Sequence, residues 1–291
     1  MKKKVILLHL LIIVSLSSVA QLSAYQFFTA KGEKIGFQQV ATELMSDDVI
    51  FFGELHNDPV THWLQLQLAE RFYEAYTDQL ILGAEMFESD DQIILNEYLN
   101  GTIRKKDLSK EAKLWPNYDT DYRPLVEFAK KNDLAFIATN IPRRYASLVS
   151  REGFKGLENL SDEAKRWIAP LPVEYNTDLP GYKRMLKMSQ MHGMKKEVNT
   201  NLPKAQAIKD ATMAHFIIQS MGQGNHFLHF NGTYHSNNKE GIIWYVNQFN
   251  PELAVGSIAT VKQKSLRELE EKNMDKADFI LVIPSDMTTT Y

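Results

Sequence analysis

The chain of 291 residues contains no cysteine. It therefore forms no disulfide bonds, and neither a thiolate metal ligand nor a thiol nucleophile is available to it. We also expect no lipid anchor on an amino-terminal cysteine. A chain of this length buries a large enough core to fold without cross-links. Its chemistry must therefore come from histidine, carboxylates, tyrosine, serine or a bound cofactor.

Several familiar catalytic and linking patterns are also missing. The sequence has no GxSxG motif, no P-loop and no helical HExxH signature, which disfavours nucleophile-elbow hydrolases, P-loop nucleotide-binding proteins and zincins. It has no internal repeat and no Pro- or Gly-rich linker, so we expect a single domain. Beyond the amino terminus, no apolar run is long enough to span a membrane.

The amino terminus has the composition of an export signal. Lysines at residues 2–4 precede an uncharged apolar run at 5–14, and small residues at 18–20 suit a signal peptidase. We expect residues 1–20 to be removed and the mature protein to be exported to the periplasm or the outside. Without those three lysines, the 33 basic residues become 30 against 36 acidic residues, a net charge of −6. Nucleic acid is therefore not an expected partner.

The most informative motif begins with an apolar run, VIFFG, that passes directly into GELHNDPVTHW. The run predicts a buried strand, and Glu54 and His56 follow at its carboxyl end, where α/β proteins usually keep their chemistry. Pro59 suits the first turn of a helix, with Asn57 or Asp58 as its N-cap. We therefore expect a tight strand-to-helix turn that carries an acid and an imidazole.

The same arrangement recurs along the chain. The apolar runs LILGA, LAFIAT and HFLHF also precede polar side chains, namely Glu85, Asn140 and His235. Because parallel strands end at one edge of a sheet, we expect these side chains to meet Glu54 and His56 there. Gly232 permits a sharp turn before His235.

Two predicted helices carry further signals. Ser89 and Gln92 have the spacing of a capping box at the start of a helix. Gln206 and Asp210 lie four residues apart on a later helix, so they share a face that we expect to look towards the edge of the sheet. His215 lies five residues after Asp210, and its expected role is structural.

Two later apolar runs, at residues 253–259 and 279–283, predict further strands. Strands that alternate with helical stretches favour an α/β fold of three layers, with helices on both faces of a mainly parallel, mixed sheet. The segments at about 89–123 and 151–204 are rich in charged and aromatic residues and predict short helices. We expect them to form a helical cap over the edge of the sheet, inserted into one domain at 21–291.

Two carboxylates and two imidazoles at the strand ends are groups of the kind that bind a divalent transition-metal ion. These candidate catalytic residues are Glu54, His56, Glu85 and His235. In a metal-dependent hydrolase, Glu54, His56 and His235 would be the metal ligands, and Glu85 would move the proton of a metal-bound water. The alternative is a hydrogen-bonded polar network that ties the loops together without turnover.

Five blocks of sequence, in order, resemble the ChaN-like haem-binding proteins. They are GELHND, AEMF, the stretch WPNYDTDYRPLVEFAKKNDLAFIATNIPRR, AQAIKDATMAH and NGTYH. That family is grouped with the Tiki proteases and erythromycin-esterase-like enzymes in one wider superfamily. The resemblance extends from about residue 36 to about residue 258. The Tiki proteases have paired Glu and His motifs similar to Glu54, His56 and His235, which supports the hydrolase alternative.

The ChaN resemblance implies a mixed-sheet α/β fold with a helical cap, export, and a role in haem or iron acquisition rather than catalysis. It also implies haem bound between two subunits by a tyrosinate ligand, with histidine and lysine from the partner meeting the propionates. An outer-membrane haem receptor or transporter is then an expected partner. The chain departs from the described lipoprotein type because it lacks the cysteine that carries the lipid.

Haem binding needs a tyrosine that reaches ferric iron, an apolar slot and cations for two propionates. Within the predicted cap, Tyr182 is the first candidate ligand and Tyr122 the second. The methionine-rich stretch YKRMLKMSQMHGMKK offers Lys183, His192 and Lys195 close to Tyr182. Its methionines, which recur every three residues, form either one wall of the haem slot or ordinary helix core.

Overall fold

The computed structural model describes residues 23–192 and 200–291, with side chains described except at 189–192. The expected export signal lies outside the described residues. One mixed sheet forms the centre of the molecule. Its strands are β1 (Gln26–Thr29), β2 (Lys34–Ile35), β3 (Val49–Glu54), β4 (Leu80–Glu88), β5 (Phe136–Asn140), β6 (His226–Gly232), β7 (Val255–Gln263) and β8 (Phe279–Pro284).

Helices alternate with most of these strands. They are α1 (Phe37–Leu44), α2 (Pro59–Tyr76), α3 (Gln92–Leu99), α4 (Lys105–Glu111), α5 (Arg123–Lys131), α6 (Arg143–Glu152), α7 (Asp162–Lys165), α8 (Pro180–His192), α9 (Leu202–Ser220) and α10 (Ile242–Phe249). Short helical turns at Tyr118–Tyr122 and Thr233–His235 lie close to the site described below. No helix in the described part of the chain is both long and apolar enough to cross a membrane.

The sheet order is β2-β1-β8-β7-β3-β6-β4-β5. The six strands from β8 to β5 run parallel to one another, whereas β1 is antiparallel to both β8 and β2. β3 lies between β6 and β7, and β6 also pairs with β4. The carboxyl ends of β3, β4, β5 and β6 therefore meet at one edge of the sheet, as predicted.

The buried strands alternate their side chains between two cores. In β3, Ile50 and Phe52 face the core that is shared with α1, α2, α3 and α5. Val49 and Phe51 face the opposite core, which α6, α9 and α10 cover. Because both faces are apolar and covered, the central strands have near-continuous hydrophobic sequences, which is typical of parallel sheets. The predicted α/β fold with a mainly parallel, mixed sheet is confirmed.

The structure also corrects the sequence reading in detail. The strands β1 and β2 were not predicted, because their four and two residues give too short a pattern to recognise. Glu85 lies within β4, which continues to Glu88 through an irregularity in its pairing with β5. The predicted capping box is wrong: Ser89 donates a hydrogen bond to the carbonyl of Trp167, and Gln92 bonds to the backbone of β5.

Both segments predicted as a cap are helical in their described parts, and no strand occurs in residues 89–123, 151–192 or 200–204. The first contains α3 and α4, and its residues 114–116 line the cavity described below. The second contains α7 and α8. The cap and the boundaries of the single domain stay predictions.

Candidate functional site

The first half of the site lies at the carboxyl end of β3. The buried carboxylate of Glu54 accepts a hydrogen bond at Oε1 from Nδ1 of His56, at 2.9 Å, and another from the Tyr122 hydroxyl, at 2.8 Å. Its Oε2 accepts a bond of 2.7 Å from Gln65. These three donors fix the carboxylate, and His56 consequently carries a proton on Nδ1, so that Nε2 is the base of its neutral form. Burial lowers the pKa of His56, but the hydrogen bond to Glu54 and the charges of Glu85 and Glu54 outweigh burial and raise that pKa.

Local sequence explains why this turn is well ordered. Asp58, one of the two predicted N-caps, accepts hydrogen bonds of 2.9 Å from both the backbone N–H and the hydroxyl of Thr61, and Pro59 opens α2. One turn later, His62 packs behind the site and its Nε2 lies 3.2 Å from the carbonyl oxygen of His56. A capped helix therefore holds the backbone of His56 in place.

The second half of the site is an imidazole between two carboxylates. Nε2 of His235 lies 3.1 Å from Oε1 of Glu85, and Nδ1 lies 2.5 Å from Oδ1 of Asp210. Asp210 accepts a further bond of 3.0 Å from the Tyr182 hydroxyl. Since both ring nitrogens face carboxylate oxygens, both carry protons, and His235 is an imidazolium. The prediction that Asp210 looks towards the sheet edge agrees with this geometry.

The position of His235 between two carboxylates, called here the His235 sandwich, determines the pKa shifts of all three groups. Burial alone lowers the pKa of His235, but Glu85 and Asp210 outweigh burial and raise that pKa to about 10. Burial raises the pKa of Glu85, whereas His235, His56 and the N–H of Gly232 together hold it well below its usual value. Burial raises the pKa of Asp210, and the bonds from His235 and Tyr182 only partly offset that increase. The site thus holds a cation and an anion in contact at neutral pH.

Gly232 brings the two halves together. Its backbone N–H donates a hydrogen bond of 2.7 Å to Oε2 of Glu85. A Cβ at this position would lie 2.7 Å from both Cε1 and Nε2 of His56 and 3.4 Å from Oε2 of Glu85. Its φ of −54° is ordinary for any residue. The reason for glycine here is therefore this close approach, and not the sharp turn inferred from the sequence.

A cavity of about 550 Å³ opens directly beside these residues. Its lining combines site residues, apolar and aromatic walls, and charged residues: His56, Glu85, Glu88, Leu114, Trp115, Pro116, Asn140, Ile141, Arg143, Gln206, Lys209, Gly232, Tyr234 and His235. The volume lies within the range usual for small-molecule and cofactor sites. Three members of the predicted quartet line this cavity, and Glu54 supports His56 from behind.

Asn140 and the charged residues define the polar side of the cavity. Nδ2 of Asn140 donates a hydrogen bond of 3.0 Å to the carbonyl of Glu85, whereas its buried Oδ1 has no hydrogen-bond partner among the described residues. Arg143 pairs with Glu88. Lys209 forms no ion pair or hydrogen bond with any other residue that the structure describes. A cation and an unsatisfied acceptor therefore face the cavity.

The tyrosines chosen from the sequence lie outside this lining. Tyr122 is 2% exposed and Tyr182 is 3% exposed, and their hydroxyls donate to Glu54 and Asp210. Burial and the neighbouring carboxylates raise the pKa of both phenols well above the usual value. Tyr234, which sequence reasoning did not select, lines the cavity and is 44% exposed.

The remaining predicted haem contacts are dispersed. Lys183 is exposed and forms a 2.9 Å ion pair with Asp178. The side chain of His192 and all of Lys195 lie outside the described residues. Arg143 and Lys209, which line the cavity, were not selected from the sequence, although both lie within the blocks that resemble the ChaN-like proteins. All these assignments of haem contacts stay predictions.

Within residues 23–192 and 200–291, no three or more His, Cys, Asp or Glu side chains are grouped in a manner suited to holding a metal ion. Glu54, His56 and His235 belong to two separate carboxylate–imidazole clusters. The contacts of these side chains are those of a hydrogen-bonded polar network, which was the alternative to a metal site. The metal-dependent hydrolase and its ligand set stay predictions.

Comparison with known proteins adds independent information. A family model described as "Haem-binding uptake, Tiki superfamily, ChaN" matches residues 40–246. The solved structure of ChaN from Campylobacter jejuni, described as showing cofacial haem binding, matches with a TM-score of 0.65 and 18% identity, covering 89% of this chain and 96% of that one. At this identity the match shows the fold alone.

A curated protein from Arabidopsis thaliana, the chloroplastic protein RETICULATA-RELATED 5, is also similar. It is 24% identical over 197 residues, which is 64% of this chain and 26% of that protein. The chain thus spans about a quarter of the length of this curated relative.

Proposed function

The chain belongs to the ChaN family of haem-binding uptake proteins in the Tiki superfamily, and from this premise we propose that it binds haem in the cavity beside His56 and His235. The observation that carries the proposal is the cavity itself, at the sheet edge where the two halves of the site meet. Haem bound there would supply a ferric iron that takes an oxygen ligand and two propionates that need cations.

The residues present fit such a group. Leu114, Trp115 and Ile141 supply apolar and aromatic wall, and a cavity of about 550 Å³ has room for a ligand of drug size. Arg143 and Lys209 supply positive charge at the same cavity, and the Lys209 ammonium has no described protein partner. A carboxylate of the ligand gains a charge-assisted hydrogen bond there without breaking an ion pair of the protein.

We assign the iron ligand to Tyr234. An iron ligand must expose its oxygen to the cavity and release its proton. Tyr234 is the accessible phenol in the lining, and its hydroxyl donates a hydrogen bond of 3.1 Å to the carbonyl of Gly181. Burial raises its pKa, while Arg184 acts to lower it. Tyr122 and Tyr182, by contrast, would have to abandon hydrogen bonds to buried carboxylates, which costs about 1–3 kcal/mol for each group left unpaired.

A cellular role forms part of the proposal, and the family match supports it. We propose that the mature protein is exported through the segment at residues 1–20, takes part in haem or iron acquisition, and forms a homodimer when haem is bound. A half-exposed tyrosine and cavity would let a second copy complete the ligand's surroundings. Sedimentation of the protein with and without haemin tests the dimer, and amino-terminal sequencing of the exported protein tests the cleavage site near Ala20.

Haemin titration monitored by absorbance tests the iron ligand. Wild-type protein is expected to give saturable binding and the charge-transfer band of high-spin ferric tyrosinate. Tyr234→Phe removes one oxygen and is expected to abolish the band. Tyr182→Phe and Tyr122→Phe are matched controls, because each removes one phenol oxygen and leaves the cavity lining intact.

Three outcomes are decisive. Loss of the band in Tyr234→Phe alone supports the assignment. Loss in Tyr182→Phe or Tyr122→Phe alone would restore the choice made from the sequence. A wild-type protein that binds haemin no better than an unrelated protein of similar charge would contradict haem binding altogether.

One observation favours a second candidate function, the hydrolysis of an ester or amide. The bond from Nδ1 of His56 to Glu54 leaves Nε2 as a base at the cavity, which is the arrangement that a general base requires. In this reaction, His56 would take a proton from water, the hydroxide would attack the carbonyl carbon, and the proton would pass to the leaving alkoxide or amine. The His235 imidazolium would hold Glu85 ionised beside it.

This second function is testable without knowing the substrate. Release of nitrophenolate from 4-nitrophenyl acetate, followed in the presence of a chelator, reports metal-independent turnover. Glu54→Gln is expected to lower the rate by about 100-fold or more, since it removes the group that orients the base. Glu43→Gln, an exposed change on α1, is the matched control. If the wild-type protein and both variants released nitrophenolate no faster than a blank without protein, this activity would be excluded.

A further inference from the structure

One wall of the cavity is a short irregular segment, residues 113–117, that is pinned at its first residue. Nζ of Lys113 lies 2.9 Å from Asp90 and 3.3 Å from both Asp91 and Glu88. The backbone N–H of Lys113 donates a 3.0 Å bond to Asp91, and Arg143 reaches the Lys113 carbonyl. Several charge-assisted bonds therefore fix this end of the segment to the loop that follows β4.

The other end of the segment is pinned as firmly. Nδ2 of Asn117 donates a hydrogen bond of 2.7 Å to the carbonyl of His56 and one of 2.6 Å to Asp121. Asn117 and Asp121 are both buried. The wall is therefore attached to the same turn that presents His56, and a shift of one would move the other.

Trp115 lies midway between these two anchors. Its ring meets the His56 ring edge-on, with centroids 4.8 Å apart, and the Tyr122 ring edge-on at 5.9 Å. The side chain is only half-buried, and the remainder of the ring lines the cavity. The indole is thus held by aromatic contacts on the protein side while part of its surface stays available to a ligand.

We propose that Trp115 is a specificity-determining residue that stacks on a flat aromatic ligand, so that the cavity selects planar tetrapyrrole carboxylates by shape and charge whether or not they carry iron. The inference rests on the haem proposal and deepens it. Because the anchors at Lys113 and Asn117 hold the indole before the ligand arrives, little conformational entropy is lost on binding. Lys209 and Arg143 meet the carboxylates at the edge of the ring.

Metal-free protoporphyrin IX is the probe that separates stacking from iron ligation. Its fluorescence change on titration gives affinities for wild-type protein, Trp115→Leu, Trp115→Phe and Trp63→Leu. Trp63, on α2, is the matched control, since it is 51% exposed, packs on Tyr25 and does not line the cavity. Trp115→Leu is expected to weaken binding by about 3- to 10-fold, the usual size of an aromatic pair beyond its area, whereas Trp115→Phe and Trp63→Leu stay within about 2-fold of wild type.

Stacking and a merely structural role give different results. If Trp115 acted only by supporting the turn of His56, Trp115→Leu would lower the melting temperature, and Lys113→Met, which releases the wall but keeps the indole, would weaken porphyrin binding to the same extent. Stacking requires a loss in Trp115→Leu that exceeds the loss in Lys113→Met and is rescued by Trp115→Phe. Equal affinities of Trp115→Leu and wild type would overturn the inference.

Failure of this inference differs visibly from failure of the haem proposal. Wild-type protein that binds neither haemin nor protoporphyrin IX would contradict both. Wild-type protein that binds haemin with the tyrosinate band but does not bind protoporphyrin IX would leave the haem proposal intact and overturn selection by shape.

Discussion

The His235 sandwich gives the sharpest quantitative prediction, for the substitution Asp210→Asn. The change keeps the size of the side chain and removes one of the two charges that hold the imidazolium. A pKa raised from 6.5 to about 10 corresponds to roughly 5 kcal/mol of folding free energy at about 1.4 kcal/mol per unit. Glu85 and Asp210 both contribute to this stabilisation of the imidazolium. The cost of burying the Asp210 carboxylate offsets part of the contribution that Asp210 makes. We expect Asp210→Asn to lower the free energy of unfolding by about 1–3 kcal/mol near pH 6.

The stabilisation from His235 is expected to decrease as pH rises. The pKa of His235 is higher in the folded protein than in the unfolded chain, so its stabilisation is fully present below about pH 6.5 and is lost as pH rises through about 10. The difference between wild type and Asp210→Asn should therefore be largest near pH 6 and shrink towards pH 10. Urea unfolding at both pH values measures it.

A control and a direct titration complete this experiment. Asp178→Asn removes a carboxylate that pairs with Lys183 on the surface, and we expect no measurable change in stability at either pH. NMR of the His235 ring reports its protonation state. A wild-type His235 that titrates near 6.5, or an Asp210→Asn variant as stable as wild type near pH 6, would refute the reasoning.

Three further predictions follow from single contacts. Gly232→Ala places a methyl group 2.7 Å from His56, so thermal unfolding should show a loss of about 1–3 kcal/mol; an unchanged melting temperature would contradict the close approach. Asp58→Ala removes the cap of α2 and should cost about 1 kcal/mol in urea, whereas Asp58→Asn should keep most of it; equal losses would contradict capping. Lys209→Glu should weaken haemin binding at low salt and reduce its salt dependence, and an affinity equal to wild type would remove Lys209 from the site.

The gathering of strand ends was predictable from the sequence. Each apolar run ended in a polar residue, and parallel strands bring their carboxyl ends to one edge, so Glu54, His56, Glu85 and His235 were expected together. Asp210 followed from helical spacing to Gln206. These inferences depend on the spacing of apolar and polar residues and on the order of the strands along the chain, both of which can be read from a single sequence.

The pairing of those residues was not predictable. A sequence does not show that Glu54 bonds to His56 while Glu85 bonds to His235, because the partners are chosen by side-chain rotamers within the packed edge. The same limit applies to the tyrosines. Tyr122 and Tyr182 have suitable neighbours in sequence, but tertiary packing buries their hydroxyls, and the exposure of Tyr234 depends on a short helical turn after β6.

The position of iron in a crystal of the haemin complex shows whether haem binds in the cavity beside His56. Anomalous scattering at the iron edge locates the metal without any assumption about the ligand. We expect one iron per chain in the cavity lined by His56, Trp115 and Lys209, with the Tyr234 oxygen as its ligand. Iron bound elsewhere on the chain, with this cavity free of porphyrin density, would contradict this expectation.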